Sequence, residues 1–200
     1  MNLPNKITLF RLPLTAIFFV FFFDRPFRDL LPDIPPIPYH HTWALLCLVL
    51  ACISDWSDGY LARKRKQITN FGKLWDPIAD KILVTAAWVT LVANHAIPAW
   101  IVLVLLARDF AVSGLRMMAA QENVTVAAEA GGKIKTFVQL LTIGILCAHY
   151  ALSEDWGWKF SKPPGYAPLE FWILYPACLL SSLYSGWSYF HKNWSLVRTS

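Results

Sequence analysis

The sequence predicts an all-α, polytopic integral membrane protein: six transmembrane helices forming a single domain over residues 1–200, with both termini on the cytoplasmic side. Three observations carry that expectation. Hydrophobic residues make up 56% of the chain and aromatic residues 15%, and the mean hydropathy is +0.42, which points away from a soluble fold. Six stretches are long enough to cross a hydrocarbon core, which takes roughly 20 helical residues. Lys and Arg gather in alternate connections between those stretches, as orientation by positive charge requires.

The spans fall at approximately 5–23, 42–63, 77–94, 98–119, 133–152 and 168–190. In the first, Lys6 and Arg11 precede the apolar run "LPLTAIFFVFFF", as the basic residues of a signal peptide would. No small-residue cleavage site follows in "DRPFRDLLPD", so a retained helix is expected. The connections "PDIPPIP", "NHAIP" and "SKPPGYAP" carry the helix breakers. Lys6, the "RKRK" cluster at Arg63–Lys66, Lys73, Lys133, Lys135, Lys192 and Arg198 lie on one side. Only Arg25, Arg28, Lys159 and Lys162 lie on the other, mixed with acids. The net charge of +5 is therefore membrane-orienting charge rather than a nucleic-acid-binding stripe, and no nucleic acid partner is expected. Cys47, Cys52, Cys147 and Cys178 all sit in apolar runs without CxxC spacing and read as small buried hydrophobes. Many tryptophans fall near span ends, where an aromatic belt forms. His95, His149 and His191 near span ends, with His40 and His41 in the outer loop, read as interfacial or hydrogen-bonded residues.

Acidic residues in this setting need a reason. Asp55 and Asp58 near the end of span two, and Asp76 and Asp80 at the start of span three, lie in or beside lipid-soluble helix. By the helical rise, Asp55 sits about 12 Å before the cytoplasmic end of its span and Asp80 about 12 Å beyond Gly72 on the returning helix. The two pairs therefore reach matching depth. At about 100° per residue, Asp55, Asp58, Gly59, Ala62 and Arg63 fall within an arc of roughly 140°, and Gly72, Asp76 and Asp80 within about 80°. Four carboxylates brought together at low dielectric require compensating positive charge. Oxygen-only ligation without Cys or His nearby in sequence suits Mg²⁺ or Mn²⁺ better than Zn²⁺. Two such ions would clamp a phosphoryl group, which indicates phosphoryl transfer. The alternatives are helix-end acids paired with "RKRK", or a path for divalent cations through a transporter. Gly59 and Ala62 leave room for a flat group against the helix, or allow close helix packing. Asn5, Thr8 and Arg11 on span one, Arg108 and Arg116 on span four and Lys133 on span five open from the same side. Asp76-Pro77 places the regular start of span three near that proline.

These residues resemble the signature of the CDP-alcohol phosphotransferase family, D-x-x-D-G-x-x-A-R, eight residues, G-x-x-x-D-x-x-x-D. Asp55, Asp58, Gly59, Ala62 and Arg63, then "KRKQITNF", then Gly72, Asp76 and Asp80 match every fixed position over 26 residues. The resemblance implies transfer of a phosphatidyl or similar group from a CDP-linked donor to an alcohol, with release of CMP. It implies that Asp55, Asp58 and Asp76 ligate two divalent ions. Asp80 would ligate or border the second ion and act as general base. Gly59 and Ala62 would face the cytidine, and Arg63 would contact the donor's phosphates. The opening "LPNKITLFRL" is similar to the family's first segment, which contributes Asn5 and Thr8 to the nucleotide pocket; Thr8 can equally bond back to a helix carbonyl. Six spans with cytoplasmic termini also agree with the family. A homodimer in a bacterial-type inner membrane, with its active site opening to the cytoplasm, is implied by the resemblance alone.

For the acceptor, "DWSDGYLAR", "LWDPIADKILV", "ARDFAVSGLR" and "GGKIKT" are similar to the phosphatidylglycerophosphate synthase branch of the family. That similarity implies CDP-diacylglycerol as donor and sn-glycerol 3-phosphate as acceptor. A dianionic acceptor needs cations, and Arg suits bidentate phosphate contacts. Arg108 and Arg116 project within about 80° of one another, although Arg116 could instead snorkel to the interface. Lys133 and Lys135 project about 160° apart if both are helical, so they share a ligand only if Lys133 precedes the helix. The branch usually carries Glu where Asp109 stands, and the role of this acid is open at this point. Inositol phosphate, serine or a phospholipid remain alternative acceptors.

Overall fold

The computed structural model describes residues 3–23, 37–65, 70–121, 130–158 and 171–193. Six α-helices lie among them: α1 (Leu3–Phe22), α2 (His40–Arg65), α3 (Asn70–Ala93), α4 (Ala99–Gln121), α5 (Ala130–Tyr150) and α6 (Phe171–Lys192). A π-helical turn, Ala151–Asp155, continues α5. No strand occurs among the described residues. Each helix overlaps one expected span. The combined Gly131–Asp155 segment is long and apolar enough to cross a membrane, and 10–22 and 40–55 are shorter apolar segments. Large side chains such as Trp100, Leu103, Phe110, Ile173 and Trp187 point outward. Such a surface is compatible with lipid as solvent and ill suited to water.

Two helix starts differ from the sequence expectation. Helix α3 begins at Asn70 and runs through Pro77 without interruption, rather than starting at the proline. Membrane helices tolerate interior prolines because neighbours re-satisfy the freed carbonyls, and Pro13 in α1 and Pro176 in α6 are likewise interior. Gly72, Asp76 and Asp80 thereby share one continuous helix, as their spacing needs. His40 and His41 stand in the first turn of α2, not in a loop.

The chain forms two compact units. The first comprises Met1–Ala96 with Ile143–Phe160, and the second Ile97–Thr142 with Ser161–Ser200. In the first unit α1 packs on α2 and α3, and α2 on the π turn. Arg11 of α1 meets Asp55 of α2, while Phe22 at the far end of α1 stacks edge-on against His41 at the start of α2; the two helices are therefore antiparallel. Asn94, just past α3, donates to the carbonyl of Phe22 at 3.0 Å, and Tyr150 at the end of α5 donates its hydroxyl to the carbonyl of Asn94 at 2.5 Å. The ends of α1, α3 and α5 and the start of α2 thus gather at one place, which alternating passes produce.

That end is closed by matched caps. His95 takes the left-handed conformation (φ 56°), its N–H bonds to the carbonyl of Val92, and that of Ala96 reaches Leu91. This paired 5→2 and 6→1 pattern satisfies carbonyls that α3 leaves open. Asp155 performs the reciprocal task for α2. Its Oδ2 accepts the N–H of Thr42 at 2.6 Å and the Thr42 hydroxyl at 2.7 Å, covering donors that a helix start leaves unmade. Trp156 Nε1 donates to the same hydroxyl at 3.2 Å. Gly157 (φ 69°) then turns the chain, and the N–H of Trp158 returns to the carbonyl of Leu152.

In the second unit, α4 and α6 pack together. Arg108 meets Ser185, and Arg116 lies over the ring of Tyr189 with 5.4 Å to its centroid. Residue numbers rise together along both helices, so α4 and α6 run parallel, as elements separated by one full return must. Val112, Leu115 and Tyr189 form a buried cluster there, with Phe190 packed against it.

Candidate active site

In the first unit the acidic motif spans α2 and α3. Arg11, one turn before a threonine that bonds back to its carbonyl (Thr15 Oγ1, 2.8 Å), is buried to 1% exposure, whereas Asp55 is 56% exposed. Arg11 Nη2 lies 2.8 Å from Asp55 Oδ1. A cation fixed by burial thus holds one carboxylate oxygen of the motif. Asp55 of α2, Asp80 of α3 and Arg11 of α1 all act electrostatically on the thiol of Cys52. The charges of three helices therefore gather around one side chain, and Asp80 is half-buried. Asp55 and Asp80 offer oxygen donors from two different helices, a donor set whose chemistry fits a hard divalent cation. Asn5, Thr8, Asp58, Gly59, Ala62, Arg63, Gly72 and Asp76 lie outside the described side chains.

One group among the described residues has the spacing of a metal-ligand set, and it is a different one. His40, His41 and Asp155 place ligand atoms within 4.8 Å of one another at the opposite end of α2. The carboxylate of Asp155 is already engaged there by Thr42, and its Oδ1 lies 3.3 Å from His41 Nδ1. This group ties α2 to the π turn and is separate from the aspartate motif.

The second unit builds a compact charge cluster. Adjacent residues Arg108 and Asp109 pair through Nη1 and Oδ1 at 3.0 Å. Lys135 of α5 reaches the other oxygen of Asp109 at 2.5 Å. Arg108 Nη2 donates to Ser185 Oγ of α6 at 2.7 Å. Gly186 makes the approach feasible: a Cβ there would lie 3.0 Å from Arg108 Cγ and 3.1 Å from its Nε. Arg108 and Lys135 are largely buried and Asp109 mostly so. Two cations around one carboxylate leave a surplus positive charge in a low-dielectric setting, which an anion offsets.

Of the four cations predicted to meet the acceptor, the structure brings Arg108 and Lys135 together. Helix α5 starts at Ala130, so both lysines are helical and face apart; Lys133 is exposed. Arg116 is exposed and rests on Tyr189, two turns along α4. Ser185 and Gly186 were not identified from sequence. The signal available was the run of small residues Ser181, Ser182, Ser185 and Gly186 within an apolar helix, which allows close helix approach.

Comparison with known proteins follows the same lines. The family model for CDP-alcohol phosphatidyltransferase matches residues 1–183. A Bacillus subtilis protein named CDP-diacylglycerol–glycerol-3-phosphate 3-phosphatidyltransferase is 41% identical over 202 residues, covering 100% of this chain and 98% of its own length. Proteins of the same name from Sodalis glossinidius and Rickettsia bellii are 40% and 38% identical over 72% of this chain, covering 75% and 74% of their own lengths.

Proposed function

The chain belongs to the CDP-alcohol phosphatidyltransferase family, and from that premise we propose that it transfers the phosphatidyl group of CDP-diacylglycerol to sn-glycerol 3-phosphate, giving phosphatidylglycerophosphate and CMP in anionic phospholipid synthesis. The observation that carries this reading is the similarity to the Bacillus subtilis relative along both whole chains. The surplus positive charge held by Arg108 and Lys135 supports it independently, because an acceptor without a phosphate would leave that charge unbalanced.

Asp55, Asp58, Asp76 and Asp80 would hold two divalent ions, Mg²⁺ or Mn²⁺, which would supply electrophilic activation of the donor's pyrophosphate. Gly59 and Ala62 present a flat face to the cytidine, with Asn5, Thr8 and Gly72 around it. Arg63 binds the donor's phosphates. Asp80 takes the proton of the acceptor hydroxyl as that oxygen attacks the phosphorus bearing diacylglycerol; the bond to CMP breaks and CMP departs with the electron pair. Arg108 and Lys135 hold the acceptor's phosphate, with Arg116 and Lys133 contributing charge from farther out. Arg11 holds Asp55 in place through their ion pair. The six helices span a bacterial-type inner membrane with both termini and the site toward the cytoplasm, and the enzyme acts as a homodimer.

Purified protein incubated with CDP-diacylglycerol and a panel of alcohols decides the matter, with CMP and lipid products identified by mass. Glycerol 3-phosphate alone should yield product, and Asp80→Asn should abolish CMP release with the fold intact. Efficient turnover of inositol phosphate or serine in its place would reassign the acceptor.

A further inference from the structure

We infer that Asp109 and Ser185 are positioning residues of the acceptor site, holding Arg108 and Lys135 in the arrangement that receives a phosphate before the substrate arrives. The inference rests on the reading that those two cations bind the acceptor. Long cationic side chains left free would lose rotamer freedom at each binding event, and that loss weakens affinity. Here the loss is taken on folding instead. Asp109 gives one oxygen to each cation, at 3.0 Å to Arg108 and 2.5 Å to Lys135. Ser185 takes the other terminal nitrogen of Arg108 at 2.7 Å. The guanidinium is thus gripped at both ends by residues from two helices, and each terminal nitrogen keeps a second N–H for a ligand.

The electrostatics make the inference sharp. A carboxylate beside a phosphate-binding pair repels the incoming anion, so charge alone predicts tighter acceptor binding once Asp109 is neutralised. Positioning predicts the reverse. The isosteric Asp109→Asn adds net positive charge but keeps only one acceptor oxygen for two cations.

The test uses the full-length protein in detergent–lipid micelles and measures KM for each substrate, kcat and thermal unfolding for Asp109→Asn, Asp109→Glu and Ser185→Ala. Asp109→Asn should raise KM for glycerol 3-phosphate about tenfold, and Ser185→Ala several-fold, the order expected for losing hydrogen bonds to a charged partner. KM for CDP-diacylglycerol should stay within about twofold, and Asp109→Glu, which keeps both oxygens, should recover most of the acceptor affinity. An unchanged or lowered acceptor KM in Asp109→Asn overturns the inference, as does an equal rise in both KM values. If Asp109→Asn does not fold, Ser185→Ala, which removes one hydroxyl, carries the same decision. Arg108→Ala separates the layers. An unchanged acceptor KM there removes the phosphate reading itself, whereas a raised one beside a silent Asp109→Asn removes only the positioning role.

Discussion

Gly186→Ala sets two local effects against each other. An added Cβ would stand 3.0 Å from Arg108 Cγ, 3.1 Å from Nε and 3.6 Å from Cδ, so the arginine must retreat by roughly half an ångström to reach ordinary carbon contact near 3.5 Å. Its guanidinium is held by Ser185 at 2.7 Å and Asp109 at 3.0 Å, and a retreat of that size stretches the shorter bond to the edge of useful geometry. Weakening one such bond costs about 1 kcal/mol, roughly a fivefold rise in acceptor KM. Alanine also favours the interior of α6 over glycine by about 0.5–1 kcal/mol. The variant should therefore unfold at the same temperature as the parent, or slightly above it, while binding glycerol 3-phosphate less well. Paired steady-state titrations of the two substrates, with thermal unfolding in the same micelles, read both effects. A rise in both KM values with a lower unfolding temperature would mean that the close approach at Gly186 serves helix packing alone. An unchanged acceptor KM would mean that Arg108 yields without consequence.

Two further outcomes follow from other parts of the molecule. Asp155→Ala leaves the N–H and hydroxyl of Thr42 without their acceptor beside a buried His41; it should destabilise the fold by about 2–4 kcal/mol, seen as a lower unfolding temperature with kcat at low temperature preserved. Exhaustive chelation should stop CMP release, and Mg²⁺ or Mn²⁺ should restore it; activity that survives chelation would exclude the aspartate motif from metal binding.

The helices were legible because long apolar runs are separated by connections, three of them carrying prolines, and each of the six observed helices overlaps one of those runs. Sequence puts the start of α3 too late because a proline reads as a helix beginning in water, while α3 carries Pro77 in its interior. The lysines show what spacing can and cannot settle. Their divergence by about 160° is a property of any helix, but which one turns inward depends on Asp109 standing on another helix to receive Lys135. The same limit applies to Ser185, which nothing in its own neighbourhood marks as a partner of a residue 77 positions away. Arg11 was placed among the polar groups of the first span, and its partner Asp55 emerged only from the antiparallel packing of α1 on α2. His41 and Asp155 are separated by 114 positions; an imidazole read as a hydrogen-bonded interfacial group fits that contact, yet sequence gave no hint of the acid.

The π turn at Ala151–Asp155 also constrains how this gene can vary. Closing i→i+5 rather than i→i+4 is equivalent to an α-helix carrying one inserted residue. Loss of a single codon within that turn would restore regular winding and swing the following positions by about 100°, carrying the carboxylate of Asp155 away from Thr42. In-frame deletions there should be rejected even though no catalytic group is touched.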